Sequence, residues 1–136
     1  MGSTPTASVP IVTNVAADGR LVGRRTFEIA GGAHINAPGC GLPASDMRLD
    51  HAFRLTLHHL RRWCDGEAVP PHCDRVPVED APDGEFPEAR CDEHGNPLGG
   101  MRSTHVDVPH ARYDWCEPAR MTGVMEPFTP EKLAAL

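Results

Sequence analysis

The segment from about Met47 to Asp65 is the best helix candidate in a chain that is otherwise interrupted by 14 prolines and 13 glycines. Either Ser45 or Asp46 can cap its first turn, and Gly66 ends it. The apolar residues within it follow helical spacing, so we expect one side of the helix to be buried against a sheet. These apolar residues are Phe53, Leu57, Leu60 and Cys64, flanked by Ala52 and Trp63.

Two short strands are predicted before the helix. Val9–Val15 has the composition of a short buried strand, and Asp18-Gly19 marks a turn after it. A second strand is predicted from Arg24 to Ala30, because Phe27 and Ile29 are strand formers at alternate positions. The segment 35–45 contains two prolines and two glycines and is predicted to be a loop.

The part of the chain beyond the helix is predicted to be rich in loops. Proline, aspartate and glutamate dominate residues 67–88, which makes long regular elements there unfavourable. The elements predicted in this part are a brief strand at Val76 and Val78, a turn at Glu93–Asn96, an edge strand at Thr104–Val108 and a helical first turn at Thr129-Pro130.

Composition and charge exclude several classes of partner. The chain has 136 residues and a net charge of −6, which argues against a nucleic-acid-binding protein, since such proteins need a basic face. No apolar run is long enough to span a membrane and no basic-then-apolar leader is present, so no membrane partner is expected. The compartment stays open, with the cytoplasm favoured.

The cysteines and histidines give no strong metal or redox motif. The five cysteines form no Cys-x-x-Cys pair, and free thiols are the first expectation, with two disulfides and one spare thiol as the alternative. Cys91 and His94 have ligand-like spacing and could form a zinc site with His72 and Cys73. A solvated turn is the preferred interpretation, so we expect neither a metal nor a cofactor. Cys40 lies between two glycines but has no neighbouring cation to activate its thiol, and we interpret it as a loop residue.

His34 is the strongest single candidate for a catalytic residue. It follows a strand-like run that ends in Gly31-Gly32, and these glycines permit a sharp turn close to another backbone. Working side chains of open α/β sheets lie at the carboxyl ends of strands. A histidine there can act as a general base, because its ordinary pKa is close to neutral pH. The alternative is a loop histidine without a role.

Several segments, in this order, resemble the C-terminal part of a family of α/β-hydrolase domain-containing proteins. They are Phe27–His34, Cys40–Pro43, the helix end Leu60–Trp63, Asp92–Arg102, Val106–Pro109, Pro127–Thr129 and Leu133–Leu136. The resemblance implies an α/β fold class. It identifies 1–136 as a single partial domain: 9–66 would hold the last two strands and closing helix of the hydrolase sheet, and 67–136 a loop-rich β extension.

The resemblance also implies a catalytic arrangement. His34 matches the triad histidine that follows the last strand, and Asp18 is the carboxylate nearest the position of the triad acid. A carboxylic ester would be the substrate. However, no Gly-x-Ser-x-Gly elbow occurs in the sequence, so the serine nucleophile is missing and we expect the isolated chain to be inert. The alternative is a non-enzymatic binding or scaffold remnant that pairs with a partner chain, with self-association also expected.

Overall fold

The first two strands form an antiparallel hairpin. In the computed structural model, which describes residues 11–80, 88–116 and 121–136, β1 is Ile11–Val15 and β2 is Leu21–Thr26. The turn between them includes Asp18 and Gly19, as predicted, and Gly19 has a φ of 81° that favours glycine. The start of the predicted first strand, residues 9 and 10, lies outside the described residues.

A second sheet holds three strands in the order β3-β7-β6. These strands are Ile35–Asn36 (β3), Ala111–Cys116 (β6) and Thr122–Pro127 (β7). β3 is parallel to β7, whereas β6 and β7 are antiparallel. The segment 35–45, predicted to be entirely loop, therefore begins with a two-residue strand. A further antiparallel pair joins Val78–Glu79 (β4) to Glu88–Ala89 (β5).

Three helices complete the described structure. The first, α1, is Leu49–Cys64, within two residues of the predicted helix at its start and one at its end. Neither Ser45 nor Asp46 caps it: the cap position is Arg48, without a side-chain hydrogen bond, and Ser45 Oγ instead accepts from the backbone N–H of Met47. The second, α2, is Thr104–Asp107, and the third, α3, is Pro130–Ala134. The cap predicted for α3 is confirmed, because Thr129 Oγ1 accepts from Lys132 N–H at 3.2 Å.

The face that α1 buries differs from the predicted face. Thr56 and Trp63 are the buried residues of this helix, whereas Phe53 is 43% exposed and Leu57 is 62% exposed. Cys64 is exposed as well. The prediction was wrong because helical spacing marks an apolar stripe without showing which side the neighbours cover. Here the neighbour is β1, and Trp63 packs against the hairpin close to Gly23.

The predicted edge strand at Thr104–Val108 is wrong. These residues form one helical turn, in which the carbonyl of Ser103 accepts from the N–H groups of Val106 and Asp107. Val106 is buried at 1% exposure, whereas Val108 is 75% exposed, so the two valines do not share a face. Two apolar residues at alternate positions are too few to distinguish a strand from a single helical turn.

The core lies where the chain after β2 meets α2 and β6. Its buried members are Ile29, Ala30, Met47, Val106, Ala111 and Tyr113. The predicted second strand ends early, at Thr26, and the following residues cross the core, with Ile29 bridging to Met101. Glu28 is buried there too, because its carboxylate accepts from Arg75 Nε at 2.6 Å and from Val76 N–H at 2.7 Å. Among the described helices, none is long and apolar enough to cross a membrane.

Candidate functional site

The backbone that carries His34 is held on both sides by hydrogen bonds. A tight turn precedes it, in which Gly32 N–H donates to the carbonyl of Ile29 at 3.1 Å. Gly31 has a φ of 72°, and a Cβ there would lie 2.9 Å from Met47 Cε. His34 N–H then donates to the carbonyl of Met121 at 3.0 Å. His34 itself is exposed, so a fixed backbone presents this imidazole to solvent.

The structure does not bring Asp18 and His34 together. The β1–β2 register pairs Val15 with Leu21 at the turn and Ile11 with Thr26 at the opposite end. Asp18 lies in that turn, where its Oδ1 accepts from Arg20 N–H at 3.0 Å. His34 follows the opposite end of the hairpin. In a sheet of parallel strands, the residues that follow two neighbouring strands lie at the same edge. The antiparallel pairing of β1 and β2 instead places the residues that follow them at opposite ends of the hairpin. The catalytic roles of both residues stay predictions.

A second group of polar side chains does come together, around Asp46. One oxygen, Oδ2, lies 2.9 Å from His110 Nε2, and the other, Oδ1, accepts from the Tyr113 hydroxyl at 2.9 Å. The Tyr113 hydroxyl also lies 3.3 Å from His110 Nε2, which closes a triangle of three side chains. We call Asp46, His110 and Tyr113 the Asp46 group. It joins the segment before α1 to the beginning of β6.

The ionisation of this group follows from its contacts. Burial raises the pKa of Asp46, but hydrogen bonds with Tyr113 and His110 outweigh it and leave the pKa below its ordinary value of 3.8. Burial and the hydrogen bond to Asp46 together raise the pKa of Tyr113. Asp46 is therefore an anion at neutral pH, and Tyr113 is a neutral donor.

His105 extends this polar group toward a cavity. Its ring lies 5.9 Å from the Tyr113 ring and 6.1 Å from the His110 ring, measured between centroids. On its other side, Nδ1 of His105 lies 3.4 Å from Ser103 Oγ. Ser103 and His105 both line a cavity of about 250 Å³ between α1 and residues 101–105. The floor of this cavity includes the buried side chains of Ile29 and Met47.

Comparison with known proteins assigns the family. Residues 3–136 match the family described as alpha/beta hydrolase domain. The chain belongs to the alpha/beta hydrolase domain family. The resemblance inferred from the segments between Phe27 and Leu136 is thereby confirmed, and the mixed β-sheet with its helices fits an α/β fold class. No curated protein and no solved structure matches the sequence.

The sequence of this alpha/beta hydrolase domain gave little sign of the Asp46 group. Asp107 accepts from Arg102 Nε at 2.6 Å, whereas His110 pairs with Asp46. Two histidines, five residues apart on either side of a buried valine, are the only local signal. Asp46 is 64 residues from His110 in sequence, and periodicity cannot detect a pairing over that separation.

The cysteines correct the expectation of free thiols. Cys40 and Cys116 form a disulfide, with their Cα atoms 5.9 Å apart. Cys40 therefore has no free thiol to act as a nucleophile. The remaining cysteines, Cys64, Cys73 and Cys91, are free.

Of the residues considered for zinc, Cys91 and His94 lie at a turn around Asp92. Asp92 Oδ1 accepts from the N–H groups of His94 and Asn96, both at 2.9 Å. Burial and the neighbouring Asp92 carboxylate raise the pKa of Cys91 to about 11, which opposes the thiolate that zinc needs. Within the ranges 11–80, 88–116 and 121–136, no three potential ligands cluster around a metal-sized space.

Proposed function

We propose that this chain is the histidine-bearing, C-terminal part of an α/β hydrolase that cleaves carboxylic esters. The observation that carries the proposal is the position of His34. This exposed histidine follows a buried Gly31-Gly32 turn and is hydrogen-bonded through its backbone to Met121. Family membership over residues 3–136 supports a hydrolase, and the ester class is the analogy that the family suggests.

In the complete enzyme, His34 would act as the general base. It would accept the proton of a serine hydroxyl as the serine oxygen attacks the ester carbonyl carbon, and it would then give that proton to the departing alkoxide. Water would attack the resulting acyl-serine with His34 again as base, which releases a carboxylic acid and restores the serine. Asp18 is proposed to orient His34. The short turn between β1 and β2 keeps these strands antiparallel, so this role requires the chain after β2 to bring His34 back to the turn in the complete domain.

The serine is proposed to lie outside these 136 residues. None of the serines within them (Ser3, Ser8, Ser45 and Ser103) has the flanking glycines of a nucleophile elbow. We therefore expect the isolated chain to release no p-nitrophenol from p-nitrophenyl esters above the buffer rate. A burst of product that disappears in His34→Ala would contradict this expectation.

Intact mass and active-site labelling of the protein from its native source test the whole proposal. We expect a mass above that of the 136 residues, and labelling by a fluorophosphonate that the isolated chain does not take up. In the native protein, His34→Ala should abolish ester hydrolysis. His58→Ala is the matched control, because His58 is an exposed histidine on α1, and it should leave the rate unchanged. A native mass equal to that of this chain, with no labelling, would overturn the proposal.

A second function is favoured by the surface of the hairpin. β1 and β2 form a sheet of only two strands within the described residues, and Leu21 and Val22 on β2 are 59% and 47% exposed. Such a sheet is marginal alone and presents edges for pairing. We propose that further strands, from the rest of the hydrolase or from a partner chain, extend it. Light scattering that gives a monomer, with slow amide exchange throughout β1 and β2, would contradict this role.

A further inference from the structure

A two-residue turn holds Cys40 at the surface. Gly39 and Leu42 form an antiparallel bridge, in which Gly39 N–H donates to the carbonyl of Leu42 at 3.0 Å and Leu42 N–H donates back at 2.8 Å. The central residues, Cys40 and Gly41, have φ values of 52° and 77°. Positive values at both central positions are typical of a tight hairpin turn and are uncommon for a residue with a side chain. We call residues Gly39–Leu42 the Cys40 turn.

The two cysteines of the Cys40–Cys116 disulfide differ in exposure. Cys40 is exposed, whereas Cys116 is only 5% exposed. The Cys40 turn lies directly over Cys116, because a Cβ added at Gly39 would be 3.1 Å from Cys116 Sγ. A Cβ added at Gly41, in contrast, would meet no atom within 4 Å outside its neighbouring residues. A small molecule can therefore approach Cys40 from solvent, whereas the turn covers Cys116.

The Cys40 turn is docked by its flanking backbone as well as by the disulfide. Ala37 N–H, before the turn, donates to the carbonyl of Gly123 on β7 at 3.3 Å. Ser45 N–H, after the turn, donates to the same carbonyl at 3.0 Å. These contacts do not need the sulfur–sulfur bond. The two cysteines should therefore stay close to each other after reduction, at a high effective concentration for re-forming the bond.

We propose that the Cys40–Cys116 pair is a site of reversible exchange with small-molecule thiols and disulfides. Cys40 is the sulfur that the small molecule reaches, and Cys116 is the resolving cysteine. In the oxidised protein, the thiolate of a small thiol attacks Cys40 Sγ, so that a mixed disulfide forms and Cys116 leaves as a thiolate. A second small thiolate then attacks the small-molecule sulfur of the mixed disulfide. Both cysteines are thereby reduced, and the two small thiols are released as one disulfide.

The reverse reaction re-forms the bond within the protein. Cys40, as a thiolate, attacks a small-molecule disulfide, displaces one half of it as a thiolate and retains the other half in a mixed disulfide. The thiolate of Cys116 then attacks Cys40 Sγ and displaces the second half. The protein thus loses two electrons, and the small disulfide gains them and becomes two thiols. This site does not include His34 and is independent of the ester-hydrolase proposal.

Treatment of the reduced protein with hydroxyethyl disulfide tests the two roles. The background is the 136-residue variant Cys64→Ser, Cys73→Ser, Cys91→Ser, which keeps only this pair of cysteines. The reaction runs without denaturant at about pH 8, where part of an ordinary thiol is ionised, and acid stops it. Intact mass and peptide mapping then locate any adduct.

Each member of the pair is also replaced in this background. The parent should recover its disulfide and keep no adduct, whereas addition of Cys116→Ser should leave one lasting adduct at Cys40. Addition of Cys40→Ser is the matched control, and Cys116 should then react at least about tenfold more slowly, because burial limits access to its thiol. Circular dichroism verifies that each variant folds. Equal rates in the two folded variants, or a lasting adduct on the parent, would overturn the proposal.

A second measurement needs no replacement within the pair. The disulfide-bonded parent is mixed with 2-mercaptoethanol, and acid stops the reaction at early times. The first mixed disulfide should map to Cys40. A first mixed disulfide at Cys116, or equal amounts at the two positions, would refute the assignment of roles.

Discussion

Reduction of the Cys40–Cys116 disulfide should lower the free energy of unfolding by several kcal/mol. The two cysteines are 76 residues apart in sequence, so the bond closes more than half of the chain into a loop. Loop closure of that length removes about 15 cal/mol/K of entropy from the unfolded chain, which is about 4.5 kcal/mol at room temperature. This is a large part of the stability of an ordinary domain, about 5–15 kcal/mol in total.

Urea unfolding of a variant that retains only this disulfide measures the effect. The variant Cys64→Ser, Cys73→Ser, Cys91→Ser removes the free thiols. With an m-value of about 2 kcal/mol/M, added dithiothreitol should move its unfolding midpoint down by about 2 M urea.

The matched control is a variant with serine at both Cys40 and Cys116. Dithiothreitol should leave its midpoint unchanged, because the closed loop is already absent. An unchanged midpoint in the first variant would refute the reasoning, since the disulfide would then either not form or not constrain the unfolded chain.

Two further predictions concern the core turn and the Asp46 group. Gly31→Ala should destabilise the chain by about 2–4 kcal/mol, because it combines a left-handed φ with a clash in the core: the new Cβ would lie 3.2 Å from Cβ of the buried Tyr113 and 2.9 Å from Met47 Cε, which would have to move. Gly19→Ala, left-handed but with open space around it, should cost only about 1–2 kcal/mol by thermal unfolding, and equal losses would disprove the clash. Asp46, whose pKa is lowered, stabilises the fold above its ordinary pKa of 3.8, and that contribution is lost as the pH falls through the folded value. Asp46→Asn, which weakens the contact with His110, should therefore cost about 0.5–1 kcal/mol at neutral pH and progressively less as the pH falls below 3.8, and a constant difference across a pH series of urea unfolding would disprove it.

Elements that depend on local signals were predictable from the sequence. The end of α1 follows from Gly66, and the turn at Gly19 follows from the Asp-Gly pair. The α3 cap follows from Thr129-Pro130 in the same way. In each case the deciding interactions join residues only a few positions apart, so a short window of sequence contains them.

Features that depend on distant partners were not predictable. The buried face of α1 is decided by the hairpin that covers Trp63, and the stripe containing Leu57 was wrongly chosen. The disulfide between Cys40 and Cys116 also joins residues that are distant in sequence, and it was not predicted because the spacing between cysteines does not reveal which of them form a bond.

The candidate sites include one feature that local sequence predicts and others that depend on residues distant in sequence. The prominence of His34 follows from the local Gly-Gly turn, and the structure places this histidine at the surface. The pairing of Asp46 with His110 needed the fold, because a position before α1 and another before β6 come together only in three dimensions. The antiparallel hairpin that separates Asp18 from His34 is likewise a matter of strand direction, which alternation in a sequence does not encode.

The hydrogen bond from His34 to Met121 links the histidine to the residue that directly precedes β7. During synthesis, His34 leaves the ribosome long before Met121, so its backbone N–H lacks this partner while the 86 residues between them are being made. Such a late, long-range contact also favours slow folding, because a large loop must close before it can form. A stop codon in place of the Met121 codon would therefore remove the hydrogen-bond partner of His34 together with β7, although every residue near His34 in sequence would still be present.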